Sequence, residues 1–384
     1  MKTDPLHILK DLVVFPSFQV ESDKIAEGMK ECSEFLSKHL ENLGFKVAVD
    51  ELYSVTAERR FDGNGTFLVN THFDTVPPSA EWKDALVPKI EGERLYAVGS
   101  SDAKGGIAST LSALYELEDC RFEKLIIQFV NYEDNSVEYQ GERRLGMPYF
   151  LSKNPDFSAD YGINVEPTVE DNQFSISVGC TGRVRFGIRT IGKEAHSSTP
   201  QAGINAIYHM MKVIEKIREI PPGRFRIDDF EAEMPINVAE IHGGRMLTII
   251  PGECFINCER RVFPGEDPEQ IKEAIRSALR SLQPEVKFHL DFGSRVQLPY
   301  QTDKSEYVVS LVADSAQRSI GYRPDIRINV GRTDSMYLYH VAGIKTVIMG
   351  PGQTGVCHKT GEYINVDRLR EFADFMKTLF SKES

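Results

Sequence analysis

The spacing of apolar positions changes several times along the chain, and each change marks an element. Between residues 23 and 43, Ile25, Met29, Cys32, Phe35, Leu36, Leu40 and Leu43 recur every three or four positions, and Gly44 follows. That spacing lines one helix face with apolar side chains, and the glycine suits the left-handed residue that ends a helix. Short apolar runs come next, "FLVNT", "LIIQFVNY" and "YGINV", separated by helix-compatible stretches over 103–117 and 142–151. Strands alternating with helices predict an α/β domain with a largely parallel central sheet.

From about residue 179 the texture differs. "GRVRFGIRTIG" alternates, 203–218 has helical spacing, "INVAEIHGG" and "CFINCERRVF" read as strands, 268–282 as a helix and "VKFHLDF" as a strand. This order is that of a split βαβ, ferredoxin-like α+β unit. Beyond Gln297 the βα texture returns with "DIRINV", "IKTVIMG" and a helix from 366. The expected organisation is a discontinuous catalytic domain, 1–178 and 297–384, interrupted by an inserted domain over 179–296.

Composition sets limits on partners and location. At 384 residues the chain exceeds the roughly 250–300 that one core serves, so two domains are expected. A formal net charge of -12 repels phosphate backbones and anionic lipid, which argues against nucleic-acid and membrane-surface roles. The opening "MKTDPLHILKDLVVFPSF" breaks its apolar stretch with acids and a proline, and no run is long enough to span a bilayer. A cytoplasmic location is therefore expected. Six scattered cysteines predict buried free thiols, and Cys254 with Cys258 lack the second close pair of a structural zinc site.

Candidate chemistry gathers where strands end. "FLVNTHFDTVPP" closes a strand with His72 and Asp74 on one side, a weak signal taken alone. "YAVGSSDAKGG" places Asp102 where it serves either as a helix cap or as a ligand; Gly105 after Lys104 rules out a phosphate-binding loop, which needs Ser or Thr there. "IIQFVNYED" delivers Glu133 and Asp134, "YGINVEP" delivers Glu166, and "GPGQTGVCHKTGEYI" carries His358 after the strand "IKTVIMG". Singly, these read as solvated acids and a surface histidine. Jointly they would meet at the carboxyl rim of one sheet. Imidazole and carboxylate ligands without thiolate suit catalytic zinc, cobalt or manganese, with one carboxylate left over as general base.

The ordered set "THFDTVP", "GSSDAKGG", "YED", "VEPT", "GKEAHSSTPQAGINA", "IPGECFINCERRVFPGE", "GRTDS" and "GPGQTGVCHKTGEYI" resembles the zinc-dependent aminoacylase and carboxypeptidase family. That family includes acetylornithine deacetylase, succinyl-diaminopimelate desuccinylase and bacterial glutamate carboxypeptidase, and the resemblance covers nearly the whole chain. It implies that Asp102 bridges two zinc ions, His72 and Glu166 completing one and Asp134 and His358 the other. It further implies Glu133 as general base and Asp74 as the acid hydrogen-bonded to His72. The inserted domain would be a lid and dimerisation module of a homodimer, with His196 reaching the partner's active site to stabilise the oxyanion. The implied reaction is cleavage of a small N-acyl amino acid at its amide by a metal-bridged hydroxide, as in acetylornithine deacetylase. A dipeptidase or glutamate-type carboxypeptidase would use the same residues on short peptides, and a catalytically silent binding protein on this fold is a further reading.

Several positions depart from the family pattern. Asp134 stands where Glu is more frequent, and "NSVEYQGER" replaces a compact Glu-Gly-Gly. Thr248 stands where many relatives have Asn, and Cys180 and Thr181 where the desuccinylases carry Arg, which weighs against succinyl-diaminopimelate as substrate. Arg261 in "ERRVFPG" and Arg332 in "GRTDS" are candidates for pairing with a substrate carboxylate.

Overall fold

The computed structural model describes residues 3–18, 27–139, 142–293 and 297–382. The chain forms two compact units: Met1–Gly179 with Thr302–Asn329 and Thr333–Ser384, and Cys180–Gln301 with Val330–Arg332.

In the first unit the main sheet runs in the order Lys46–Val49, Val55–Arg60, Lys124–Val130, Thr66–His72, Tyr161–Asn164, Lys345–Ile348, Gln173–Cys180, Val169–Glu170. The four central strands are mutually parallel, and Tyr300–Gln301 and Asp325–Asn329 also pair with Gln173–Cys180. The outer pairings are antiparallel, so the sheet is mixed and the expectation of a largely parallel one is corrected. At the two ends of this order the cause is local, because tight turns permit only antiparallel neighbours. Asp50 builds one such turn, its carboxylate accepting the N–H groups of Leu52 and Ser54 at 2.9 Å each. Asp171 and Asn172, at φ 48° and 63°, make the other, a two-residue hairpin turn that needs left-handed residues.

The first described helix after the N-terminal one is Glu27–Asn42, burying Met29, Cys32, Leu36 and Leu40 and ending at Gly44 with φ 77°. The part of the predicted helix before Glu27, Ile25 included, lies outside the described residues. Helices also occupy Gly105–Tyr115 and Val366–Phe380. The helix expected over 142–151 begins later, at Gly146, after a short strand Glu142–Arg144. Gly146 sits against the Asn131 carbonyl, where any side chain would collide. The cysteines are all unpaired and five of the six are buried. Among the described residues, no helix is long and apolar enough to cross a membrane.

The second unit holds a four-stranded antiparallel sheet in the order Asn237–Gly243, Glu253–Val262, Gly182–Ile191, Lys287–Phe292. Helices Ala206–Glu219 and Pro268–Arg280 cover one face with Met210, Val213, Ile217, Ile275 and Leu279, opposite Phe186, Ile188, Ile256 and Cys258. A hairpin, Gly223–Ile227 with Phe230–Met234, was not legible in the apolar spacing.

Candidate metal centre

Three parallel strands end side by side, with His72 in register with Val130, and the chain leaves each strand carrying a polar side chain. His72 closes its own strand, Glu133 and Asp134 follow Lys124–Val130, and Glu166 follows Tyr161–Asn164. His358 arrives from the loop after Lys345–Ile348, and Asp102 from the strap before helix Gly105–Tyr115. Lys104, not Asp102, occupies the N-cap of that helix, which leaves the Asp102 carboxylate to the cluster.

Ligand-type atoms of His72, Asp102 and Glu166 all lie within 4.8 Å of one another, as do those of Asp102, Asp134 and His358. Asp102 belongs to both groups. Its Oδ1 is 3.2 Å from His72 Nε2 and its Oδ2 is 3.3 Å from His358 Nε2. His72 Nε2 is 3.6 Å from Glu166 Oε2, and His358 Nε2 is 3.1 Å from Asp134 Oδ1.

His72 is aimed by its other nitrogen. Nδ1 donates to the main-chain oxygen of Asp74 at 2.9 Å, which leaves the Nε2 lone pair toward the carboxylates. The Asp74 carboxylate itself stands 3.5 Å from that nitrogen. It chiefly accepts the backbone N–H groups of Glu133, Asp134 and Asn135 at 2.9, 3.1 and 3.0 Å, plus the Asn135 side chain at 2.8 Å. Asp74 thus organises the loop that carries Glu133 and Asp134, beyond the His72 contact expected of it. Burial alone would raise its pKa, but His72 and these donors hold it below the usual carboxylate range.

The electrostatics describe a site short of positive charge. Burial pushes Glu166 up to about 7, with Asp102 and Asp134 adding to the rise against His72. Asp134 is raised by burial and by Asp102, against His358. Hydrogen bonds to Asp102 and Asp134 lift His358 to about 11. Asp102 goes the other way: burial opposes, but His358 and His72 hold it far below its ordinary value. Buried Asp134 Oδ2 and Glu166 Oε1 have no hydrogen-bond partner. Crowded carboxylates with orphaned oxygens, two imidazoles and no thiolate ligand fit a pair of divalent cations.

Two buried groups behind the cluster escaped the reading of the sequence. Glu362 accepts the backbone N–H groups of Gly99, Ser101 and Asp102 at 2.9, 2.9 and 3.0 Å. Lys104 is fully buried and donates from Nζ to the Phe15 carbonyl at 3.0 Å. The acid in "HKTGEYI", four positions after His358, was the available signal for Glu362. Beside His358, a cavity of about 200 Å³ is lined by Val76, Pro77, Trp82, Val98 and Glu362 among others.

His196, Arg261 and Arg332 lie in the second unit. His196 is exposed, and its Nδ1 accepts the Ser198 N–H at 3.2 Å, so Nε2 carries the proton in the neutral ring. Arg261 Nε is 3.2 Å from Glu259 Oε1, and Arg332 is half-buried.

The model of peptidase family M20/M25/M40 matches residues 68–382. The chain belongs to this family. An acetylornithine deacetylase of Myxococcus xanthus is 29% identical over 318 residues, covering 80% of this chain and 77% of that protein. A succinyl-diaminopimelate desuccinylase of Nautilia profundicola is 24% identical, covering 98% and 99%. Among solved structures, the M20 metallo-carboxypeptidase Sso-CP2 of Sulfolobus solfataricus superposes with a TM-score of 0.75 at 20% identity, over 98% of each chain. The YXEP protein of Bacillus subtilis, described as a dinuclear metal-binding M20 peptidase, gives a TM-score of 0.71 at 14% identity over 98% and 97%. Membership in the M20 family makes the chain a metal-dependent amidohydrolase.

Proposed function

We propose that the chain hydrolyses the amide bond of a small N-acyl amino acid, in the manner of acetylornithine deacetylase, with two zinc ions. The reading rests on the double cluster in which Asp102 is common to His72 with Glu166 and to Asp134 with His358. Cobalt or manganese suits the same donor set. Bound divalent ions supply Lewis acidity, polarising a carbonyl and lowering the pKa of water. Glu133, buried next to Asp134, takes the proton of the attacking water and delivers it to the departing amine. Asp74 holds the Glu133 N–H and keeps that side chain placed. In a homodimer, His196 of one copy donates to the oxyanion developing in the active site of the other. Arg261 and Arg332 pair with the substrate carboxylate.

The second unit acts as lid and dimerisation module in this reading. The edge strand Asn237–Gly243 is largely exposed, and Tyr208, Met211, Ile241, Met246 and the fully exposed Leu247 form apolar surface on that unit. A second copy of the chain covering this surface accounts for it.

The test is a substrate panel on zinc-reconstituted protein, N-acetyl amino acids beside dipeptides. Deacylation far faster than peptide cleavage is the expected result. Cleavage of dipeptides alone would assign the site to a peptidase, and a folded, metal-loaded protein inert to both would leave it a binding protein.

A further inference from the structure

The second unit's sheet buries one face against its helices, and the alternate side chains of its two central strands point the other way. On that other face Arg183 stands directly opposite Arg261, and Arg185 directly opposite Glu259. Glu259 is shared by all three: its Oε2 is 2.8 Å from Arg185 Nε and 3.5 Å from Arg183 Nη1, and its Oε1 is 3.2 Å from Arg261 Nε. Among the described residues it is the one carboxylate within ion-pair distance of these arginines. Like charges facing each other across a ladder repel. One carboxylate against three guanidiniums leaves two positive charges over, on a chain whose formal net charge is -12. Burial, then Arg185, Arg332 and Arg261 against Glu259, brings Arg183 down to about 10.

We propose that this face binds a small ligand bearing two carboxylates, with Arg183, Arg185 and Arg261 as donors and Glu259 as the built-in counter-charge. The guanidinium fork matches a carboxylate edge with two parallel hydrogen bonds. Successive positions on one strand face are about 6–7 Å apart, the separation of two carboxylates on a short carbon chain. The negative net charge disfavours a long polyanion. Two sources share this chemistry: an acylated acidic amino acid, which rests on the function proposed above, and a free dicarboxylate.

Calorimetry on the full chain, with glutarate, acetate and inorganic phosphate as probes, tests the site. Glutarate is expected to bind at least about tenfold tighter than acetate, and R183Q/R185Q to lose at least about tenfold in glutarate affinity. Arg185 is 59% exposed but Arg183 only 22%, so the urea midpoint of R183Q/R185Q is compared with that of the wild type to separate lost binding from lost folding. E259Q removes the competing carboxylate and is expected to bind glutarate more tightly, a gain that misfolding does not produce. Equal affinity in R183Q/R185Q, or weaker binding in E259Q, overturns the site, and phosphate binding tighter than glutarate overturns the dicarboxylate. Turnover of N-acetylglutamate and N-acetylnorleucine by the zinc-loaded protein separates the sources. A KM that rises in R183Q/R185Q for the acidic compound alone assigns the site to substrate; unchanged KM values with lost glutarate binding assign it to a free dicarboxylate. Hydrolysis of neither compound by the wild type rejects the deacylase reading and leaves the calorimetric result standing.

Discussion

Glu362 Oε1 accepts the backbone N–H of Asp102 at 3.0 Å across 260 positions of sequence. The same carboxylate takes the N–H groups of Gly99 and Ser101, so three amides of the Asp102 strap converge on one side chain from the C-terminal segment. Gly99, at φ 75° and packed against Thr75, gives the strap its turn. Asp102 is held from behind while its carboxylate faces both histidines. In E362Q the amide NH2 opposes these donors, and the strap loses part of its hold. Metal affinity is expected to fall about 10–100-fold, the usual cost of losing an outer partner. Titration of metal-free protein with zinc measures this directly; unchanged affinity would show that the strap holds itself.

Lys104 offers a second handle on the same strap. Its ammonium is fully buried near Asp74 and Glu362, and burial lowers its pKa while those acids oppose the drop. K104M keeps much of the side-chain volume but removes the cation and the Phe15 hydrogen bond. The Phe15 carbonyl keeps the Ser17 N–H at 2.8 Å, so the expected loss is that of one hydrogen bond from a charged donor, about 1.5–3 kcal/mol, to be read from urea unfolding of the metal-free chain.

Removing the proposed base separates chemistry from binding. E133Q is expected to retain two metal ions per chain, since neither cluster includes Glu133. Its kcat should drop about 100- to 10,000-fold. Loss of metal along with activity would make Glu133 a ligand instead.

The metal-free chain should lose stability as pH rises. Glu166 moves up from 4.5 to about 7 on folding and His358 from 6.5 to about 11, so the folded state holds more protons than the unfolded one. Stability from each group is complete below its unfolded value and is lost as pH climbs through its folded value. Tm of the metal-free protein is therefore expected to fall from pH 5 to pH 9. Zinc displaces these protons, so its affinity rises over the same range and the loaded protein shows a flatter profile. A metal-free Tm that climbs with pH contradicts the electrostatics of the cluster.

The sequence was legible where short-range rules operate. Apolar spacing located strands Thr66–His72, Lys124–Val130, Tyr161–Asn164 and Lys345–Ile348, and the last helix, because burial on one face imposes a period regardless of what lies opposite. It misjudged strand direction at the sheet edges, since an apolar run does not say which neighbour it pairs with; the turns at Asp50 and at Asp171–Asn172 settle that. The hairpin Gly223–Met234 was missed because "RFRIDDFEAEM" alternates charge more than hydrophobicity.

By itself, the sequence determined the chemical inventory: imidazoles and acids at strand ends, no cysteine among the ligand candidates although Cys357 precedes His358, and a surplus carboxylate near them. Only the tertiary structure decided that His72 and His358, 286 positions apart by their numbering, share Asp102 at 3.2 and 3.3 Å. It also decided that Glu362 and Lys104 stand behind the strap, and that Arg183 faces Arg261. The physical reason is reach: periodicity and turn chemistry act over a few residues, whereas a site is assembled by strand pairing and close packing between segments far apart in the chain, which no local pattern encodes.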